Sequence, residues 1–179
     1  LPDTMKSETV ELDENEWLEI KKTVHLAIEQ LTAFRIQEGK VLEQVFVDKI
    51  QHIGQLLEDI APFEAERVEK IKTRLEENLQ ALSEKIDYDK NRLEQELIFY
   101  IEKLDVNEEK NRLDNHLKYY ISTMESGHGQ GKKLGFIAQE MGREINTLGS
   151  KSNHAEMQKL VVQMKDELEQ IKEQVLNVL

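Results

Sequence analysis

The stretch NHAEMQKLVVQMKDELEQIKEQVLNV, residues 153–178, sets the expected fold through the regular spacing of its apolar residues. Apolar side chains alternate spacings of four and three along it, at Met157, Val161, Met164, Leu168, Ile171, Val175 and Val178. This spacing places them along one side of an α-helix, as in a coiled coil. A strict heptad of this kind requires a partner helix, in the same chain or in another subunit.

Earlier parts of the chain carry similar stripes. A first seam begins at Glu14 and includes Trp17, which is expected in a core; its other members are Ile20, Val24, Ala27, Leu31 and Phe34. The pattern resumes after Gly39 and continues to Ile60. A glycine inside a helix costs only about 1 kcal/mol, so Gly39 is either a break or a tolerated interruption. We expect two long antiparallel helices here rather than one continuous rod.

The composition agrees with a helical protein. Prolines are few, aromatics make up 6% of the residues, and alternating β-branched sequence that would indicate a sheet is scarce. The sequence therefore predicts an all-α fold of long antiparallel helices with coiled-coil-like seams, followed by a C-terminal helical bundle. The expected organisation is a linker at 1–13 from a further N-terminal domain, a helical hairpin or arm at 14–88, and a C-terminal helical domain at 89–179.

Several functions are excluded by what the sequence lacks. There is no cysteine, which rules out a disulfide framework, a thiolate zinc site and a cysteine nucleophile, and which fits a cytosolic protein. No apolar run approaches the roughly 20 residues that span a bilayer, so no membrane association is expected. Phosphate-loop, zinc-protease, dinucleotide-binding and nucleophile-elbow motifs are also missing. The net charge of −12 argues against binding nucleic acid over the whole surface.

The segment KKLGFIAQEMGREINTLGSK, residues 132–151, differs from the rest. Its apolar residues use one helix face, which leaves Glu140, Arg143 and Glu144 together on another. Two carboxylates four residues apart repel each other by a few tenths of a kcal/mol, and a nearby arginine or divalent cation would reverse this cost. Structural ion pairs are commoner than active sites, so the alternative to a functional site is an ordinary ion pair between Glu140 and Arg143.

The charge around this segment also differs in sign from the rest of the chain. Residues 127–154 contain four basic and two acidic residues, a net +2, while the remainder carries −14. This is the one long stretch with the sign that a phosphate backbone attracts. The helix before it places Arg112, His116 and Tyr119 on one face, together with Asn115. A histidine there could move protons or bind a metal, although a lone histidine on a helix is more often a packing residue.

These residues resemble the hallmark block of the YicC/YloC family of endoribonucleases. The matching positions are Gly131–Leu134, Phe136, Gln139–Met141, Arg143–Thr147 and Ser150–Lys151, with further matches at Asp89, Arg92–Leu93, Gln95–Glu96, Glu102–Val106, Glu108–Glu109, Arg112–Leu113 and His116. Gly135 and Gly142 stand where the family pattern leads us to expect an aspartate and an asparagine. The first difference removes a possible metal ligand.

The resemblance implies a cytoplasmic bacterial enzyme that cleaves single-stranded RNA with Mg²⁺ or Mn²⁺ and assembles as a homo-oligomer, a ring-like hexamer. Glu140 and Glu144, with Glu96 or Glu109, would bind the metal, and His116 would act as general acid or base beside the two catalytic carboxylates. The RNA-binding residues would be Gln139, Arg143, Asn146, Lys151, Arg112, Lys132 and Lys133. Members of the family carry a further N-terminal domain, so we expect residues 1–179 alone to cleave poorly.

A rival interpretation comes from another class of function. The heptads and the acidic net charge also suit a non-catalytic helical module that builds oligomers or an RNA-binding scaffold, with the block from Glu140 to Lys151 serving as an ion network between helices. Burial of Glu140, Arg143 and Glu144 against another helix would favour the scaffold. An open, water-filled, positively charged cleft around them would favour the enzyme.

Overall fold

The structure, a computed structural model, describes residues 13–83, 90–127 and 129–178, without the side chains of residues 75, 79–83, 90–94, 96 and 97. Within these ranges the chain forms six α-helices and no strand, which confirms the predicted all-α class. They are α1 (Glu14–Glu58), α2 (Ala61–Ser83), α3 (Lys90–Leu104), α4 (Asn107–Glu125), α5 (Gly131–Lys151) and α6 (Ala155–Val175). None of the helices in the described ranges has the length and apolar character that crossing a membrane requires.

Helix α1 is a single helix of 45 residues, so the expected break at Gly39 is wrong. Among the described residues, a Cβ atom added at Gly39 would meet nothing within 4 Å. The cost of one glycine, about 1 kcal/mol, is too small to end a helix whose flanking turns are intact. The chain instead turns at Asp59 and Ile60, and Pro62 lies in the first turn of α2, where its missing N–H costs little.

The chain divides into two compact units, up to Val41 and from Leu42 onwards. In the described part of the first unit, the apolar seam of α1 is exposed rather than buried. The exposed fraction is 56% for Trp17 and between 46% and 59% for Ile20, Val24, Leu31 and Phe34. The expectation that Trp17 lies in a core is therefore wrong for this chain: periodicity identified the seam but could not supply the surface that covers it.

The second unit contains the hydrophobic core, to which α1 from Phe46 onwards, α4, α5 and α6 all contribute. Phe46 and Tyr120 meet edge to face, with their ring centroids 5.8 Å apart. The heptad of the last helix is confirmed, because its six residues from Met157 to Val175 are all buried. Its partner is α5 of the same chain.

Three glycines let α5 approach α6 closely. Gly135, Gly142 and Gly149 are seven residues apart on α5, and a Cβ at each would point at Val175, Leu168 and Val161 respectively, in that order along α6. The two helices are therefore antiparallel. The gap narrows along the series: the added Cβ would lie 3.9 Å from Val175 Cγ1, 3.3 Å from Leu168 Cδ2 and 2.9 Å from Val161 Cγ1.

This gradient predicts opposite effects for one substitution at two positions of the same helix. Gly135→Ala should raise the free energy of unfolding by about 0.5–1 kcal/mol, because alanine favours the helix and its methyl group makes an ordinary contact. Gly149→Ala should lower it by about 1–3 kcal/mol, because the methyl group would overpack against Val161. Urea denaturation followed by circular dichroism measures both. Equal effects at the two positions would show that α5 and α6 do not approach as described.

Candidate functional site

Helices α4 and α5 pack side by side, and three contacts give their register. Lys151 Nζ lies 2.7 Å from Glu109 Oε1, and Arg112 Nη1 lies 3.9 Å from Glu144 Oε1. Further along, Lys133 Nζ lies 4.8 Å from the ring centroid of Tyr119. Residue numbers rise along α4 as they fall along α5, so the two helices are antiparallel.

One face along this helix pair holds several of the predicted site residues; we call it the α4–α5 strip. It consists of Arg112, His116 and Tyr119 on α4 and of Lys133, Glu140 and Glu144 on α5, with Arg143 paired to Glu140 beside them. The three α4 residues each precede a member of the buried stripe Leu113, Leu117 and Tyr120, so they lie at the rim of the core. His116 is partly buried and lies between the turns of α4 that contact Glu144 and Lys133.

Glu144 is the buried acid of the strip, with 8% of the residue exposed. Arg112 divides its guanidinium group between two acids: Nη1 faces Glu144, and Nη2 donates a hydrogen bond to Glu108 Oε1. Burying a carboxylate is costly unless a partner compensates it, and Arg112 is that partner. The guanidinium itself remains more than half exposed, so it also faces solvent.

Glu140 and Arg143 form the open part of the site. Arg143 Nη1 lies 2.7 Å from Glu140 Oε1, and the two side chains are 42% and 72% exposed. A surface pair of this kind contributes about 0–1 kcal/mol, so a phosphate can displace one partner at little cost. Gln139 and Asn146 are exposed on the same helix. The four residues are therefore available to a ligand from solution.

Lys151 and Glu109 are in a different environment. Besides Glu109, Lys151 Nζ donates a hydrogen bond to the carbonyl oxygen of Asp105 at 3.0 Å. Glu109 is buried, and Arg67 of α2 donates to the carbonyl oxygens of Lys151 and Leu104 at 2.9 and 2.7 Å. These contacts join the end of α5 to α2 and to the start of α4. For these two residues the structure agrees with the ion network between helices that the rival interpretation expects.

The acids meet only part of the requirement for a metal site. Among the described residues, no group of three or more His, Asp or Glu side chains could hold a metal ion. Glu140 and Glu144 lie one helical turn apart, Glu109 is bonded to Lys151, and the side chain of Glu96 lies outside the described residues. Two carboxylates suit Mg²⁺ in the mode in which it keeps several waters and takes its remaining ligands from a substrate phosphate. They do not form an all-protein cage.

The first turn of α5 is positively charged. It contains Lys132 and Lys133, both exposed, and no acid. Their ammonium groups lie at the positive end of the helix dipole. This arrangement lowers the stability of the helix and favours the binding of an anion. Lys133 also lies over the ring of Tyr119, in a cation–π contact.

Sequence reasoning missed two exposed aromatic residues at this end of the strip. Tyr119 was identified only as a member of a helix face, and Phe136 only as part of a family resemblance, yet both rings are exposed. Phe136 follows Lys133 by three residues and precedes Glu140 by four, so the three share one face of α5. That spacing, applied to the polar face rather than the apolar one, could have found Phe136.

Comparison with known proteins places the chain in a family. Residues 60–179 match the family described as endoribonuclease YicC-like, C-terminal. The chain is 35% identical over 179 residues to the probable endoribonuclease YicC of Clostridioides difficile, covering 99% of this chain and 61% of that protein. It is 39% identical over 77 residues to the probable endoribonuclease YicC of Haemophilus influenzae, covering 43% of this chain and 27% of that one.

The chain therefore contains a helical domain of a family of probable endoribonucleases. The chain belongs to the YicC-like family, and its residues 60–179 match the family's C-terminal region. The resemblance inferred from the block at 131–151 is confirmed. The chain spans about three-fifths of the length of the Clostridioides difficile relative.

The two kinds of ion pair should respond differently to loss of their cation. Lys151→Met leaves the buried Glu109 carboxylate without its ammonium partner and should lower the free energy of unfolding by about 2–3 kcal/mol, somewhat less than for a fully buried pair. Arg143→Met removes an exposed pair and should change it by less than about 1 kcal/mol. Urea denaturation at neutral pH measures both. A Lys151 variant as stable as the wild type would refute the structural role of this pair.

Proposed function

We propose that this chain supplies part of the active site of an endoribonuclease that cleaves phosphodiester bonds of single-stranded RNA, and that the α4–α5 strip binds the scissile phosphate. The observation that carries the proposal is the exposed pair of Glu140 and Arg143, one turn from the pair of Glu144 and Arg112. Glu140, Arg143 and Glu144 lie in the basic segment, residues 127–154, of an otherwise acidic chain, and Arg112 joins them from α4. Membership of a family of probable endoribonucleases supports the same reaction class.

The chemistry follows from the exposed groups. Arg143 exchanges its bond to Glu140 for the non-bridging oxygens of the phosphate, and Arg112 offers its exposed guanidinium from the other helix. Lys132 and Lys133 neutralise neighbouring phosphates, while the amides of Gln139 and Asn146 orient the backbone. Lys151 contributes to this field from the end of α5, with its ammonium group held by Glu109.

Proton transfer falls to the titratable groups of the strip. His116 lies between the two arginine–glutamate pairs and the lysines, where it takes the proton of the attacking oxygen or gives one to the leaving oxygen. Glu140 and Glu144 orient the reacting groups and would hold Mg²⁺ or Mn²⁺, with Glu109 or Glu96 as further candidate ligands. When bound, such an ion supplies charge neutralisation at the phosphate and a more acidic water.

The proposal extends to assembly and location. The exposed apolar seam on α1, from Trp17 to Phe34, supports association of several copies, because a heptad-like stripe of this length gains stability only when it is covered. We propose a ring-like homo-hexamer in the cytoplasm, as the family resemblance implies. Analytical ultracentrifugation of the full-length protein measures the number of subunits, and a monomer would contradict this part of the proposal.

Cleavage assays on the full-length protein test the site. Glu140→Gln, Arg143→Ala and His116→Ala should each lower the rate of single-stranded RNA cleavage about 100-fold or more, the usual effect of losing an acid–base or phosphate-binding group. The matched controls are Glu156→Gln and Lys159→Ala, which alter an exposed ion pair of the same spacing on α6, 2.8 Å apart. Both controls should cleave at the wild-type rate.

The same assay has two further arms. A chelator should abolish cleavage and Mg²⁺ or Mn²⁺ should restore it, while residues 1–179 alone should bind RNA but cleave poorly. Wild-type rates in all three site variants, with unchanged subunit number, would refute the catalytic strip. Unchanged cleavage in chelator would refute the metal requirement alone.

A scaffold remains the second candidate, and two observations favour it. Glu144 is buried and faces Arg112 of the neighbouring helix, as the scaffold requires. The contacts of Lys151 with Glu109 and Arg67 join three helices, so the end of α5 has a structural role. A scaffold without catalysis requires that the purified full-length protein bind RNA or a partner without cleaving RNA under any metal condition. It also requires the Glu140 and Arg143 variants to change that binding rather than a rate.

A further inference from the structure

Two exposed aromatic rings lie beside one lysine at the end of the α4–α5 strip. Tyr119 and Phe136 are 48% and 56% exposed, and Lys133 Nζ lies 4.8 Å from the Tyr119 centroid. Phe136 is one turn from Lys133 on α5, at a distance where side chains on a helix surface are neighbours. The three side chains therefore form one small surface, which we call the aromatic patch.

Packing does not explain the aromatic patch. The apolar stripe of α5 that builds the core runs through Leu134, Ile137 and Met141, and α4 buries Tyr120 rather than Tyr119. Burying a phenylalanine contributes about 1.5–3 kcal/mol, and Phe136 forgoes about half of this by staying exposed. A single exposed apolar residue is ordinary. Two exposed rings beside a cation, next to the groups proposed for catalysis, are instead an arrangement that can bind a ligand.

Nucleobases are the ligands that such a surface fits. Every base offers a flat π-face, and proteins that bind single-stranded RNA stack these faces on Phe, Tyr and cationic side chains beside a basic track for the backbone. Here the track is present, because Lys132 and Lys133 precede Phe136, and Arg143 follows it. Bases in a duplex stack on one another and cannot reach the rings, so the patch selects single strands.

We propose that Tyr119, Lys133 and Phe136 form a base-stacking subsite that binds a nucleotide of single-stranded RNA next to the phosphate held at Glu140 and Arg143. Phe136 and Glu140 are four residues apart, about 6 Å along the helix axis, so a base stacked on Phe136 positions an adjoining phosphate at the ion pair. The inference rests on the proposed function. It adds that a base of the substrate, stacked on these rings, determines which phosphate lies at the ion pair. Because stacking does not distinguish bases strongly, the subsite tolerates all four of them.

The test compares RNA with its own backbone stripped of bases. Binding of a 12-nucleotide single-stranded RNA and of a fully abasic 12-mer is measured by fluorescence anisotropy, on full-length protein carrying Glu140→Gln to prevent cleavage. Adding Phe136→Leu should weaken RNA binding about tenfold and leave abasic binding unchanged, since leucine keeps the apolar volume but loses the stacking face. Phe136→Tyr should bind RNA like the parent. Tyr119→Leu should behave like Phe136→Leu, and Tyr119→Phe like the parent.

The matched control is Phe99→Leu, which removes another exposed phenylalanine, 63% exposed, from α3. It should change neither affinity. Equal weakening on RNA and abasic backbone, or no weakening on either, would overturn the subsite. So would a Phe136 variant that alters only the subunit number, since the patch would then contact a second copy of the chain.

Failure of this inference and failure of the proposed function give different results. If Glu140→Gln and Arg143→Ala abolish cleavage but Phe136→Leu leaves affinity for RNA unchanged, only the subsite is wrong. If the wild-type protein neither binds nor cleaves single-stranded RNA, the proposed function is wrong and the subsite falls with it.

Discussion

The close packing of α5 on α6 is the constraint on which the site depends. Glycines at 135, 142 and 149 remove the side chains that would hold the two helices apart, and the heptad of α6 fills the resulting groove with Val175, Leu168 and Val161. Burial of the α6 heptad and of the facing apolar stripe of α5 supplies the largest favourable term in this unit. Once this face of α5 is committed to the core, its opposite face must point away from it. The rotation of α5 about its axis, and therefore the direction of Glu140, Arg143 and Phe136, follows from that contact.

The polar residues of α4 and α5 differ in how deeply they are buried and in what they contact. Near the end of α5, Lys151 and Glu109 are drawn into a contact that Arg67 closes from a third helix, and their charges hold the structure together. In the middle, Glu144 is buried while its partner Arg112 stays in solvent. Lys132, Lys133 and Arg143 are exposed on α5. The chemistry proposed here belongs to these exposed groups and their neighbours.

The sequence predicted those features that depend on local periodicity. The heptad of α6, the all-α class and the shared face of Arg112, His116 and Tyr119 were found because a helix repeats every 3.6 residues whatever surrounds it. The break at Gly39 was wrong because local propensity was too weak to end α1, and Trp17 was misplaced because a seam does not reveal what covers it. Nor could spacing separate Lys151 from Arg143. Both are cations on α5, and only the position of α4 shows that Lys151 is held by another helix while Arg143 is paired within its own. The exposed rings of Tyr119 and Phe136 were overlooked because Tyr119 was treated only as a member of a polar helix face and Phe136 only as part of the family block.

The central claim is that RNA lies along the α4–α5 strip, and photo-crosslinking tests it most directly. Full-length protein is irradiated with single-stranded RNA containing 4-thiouridine, and the crosslinked peptides are located by mass spectrometry. The account predicts crosslinks concentrated in the peptides that contain residues 112–119 and 132–146, and lost when the RNA is replaced by duplex. Crosslinks confined to the outer face of α6 or to α1, with none in these two segments, would contradict it.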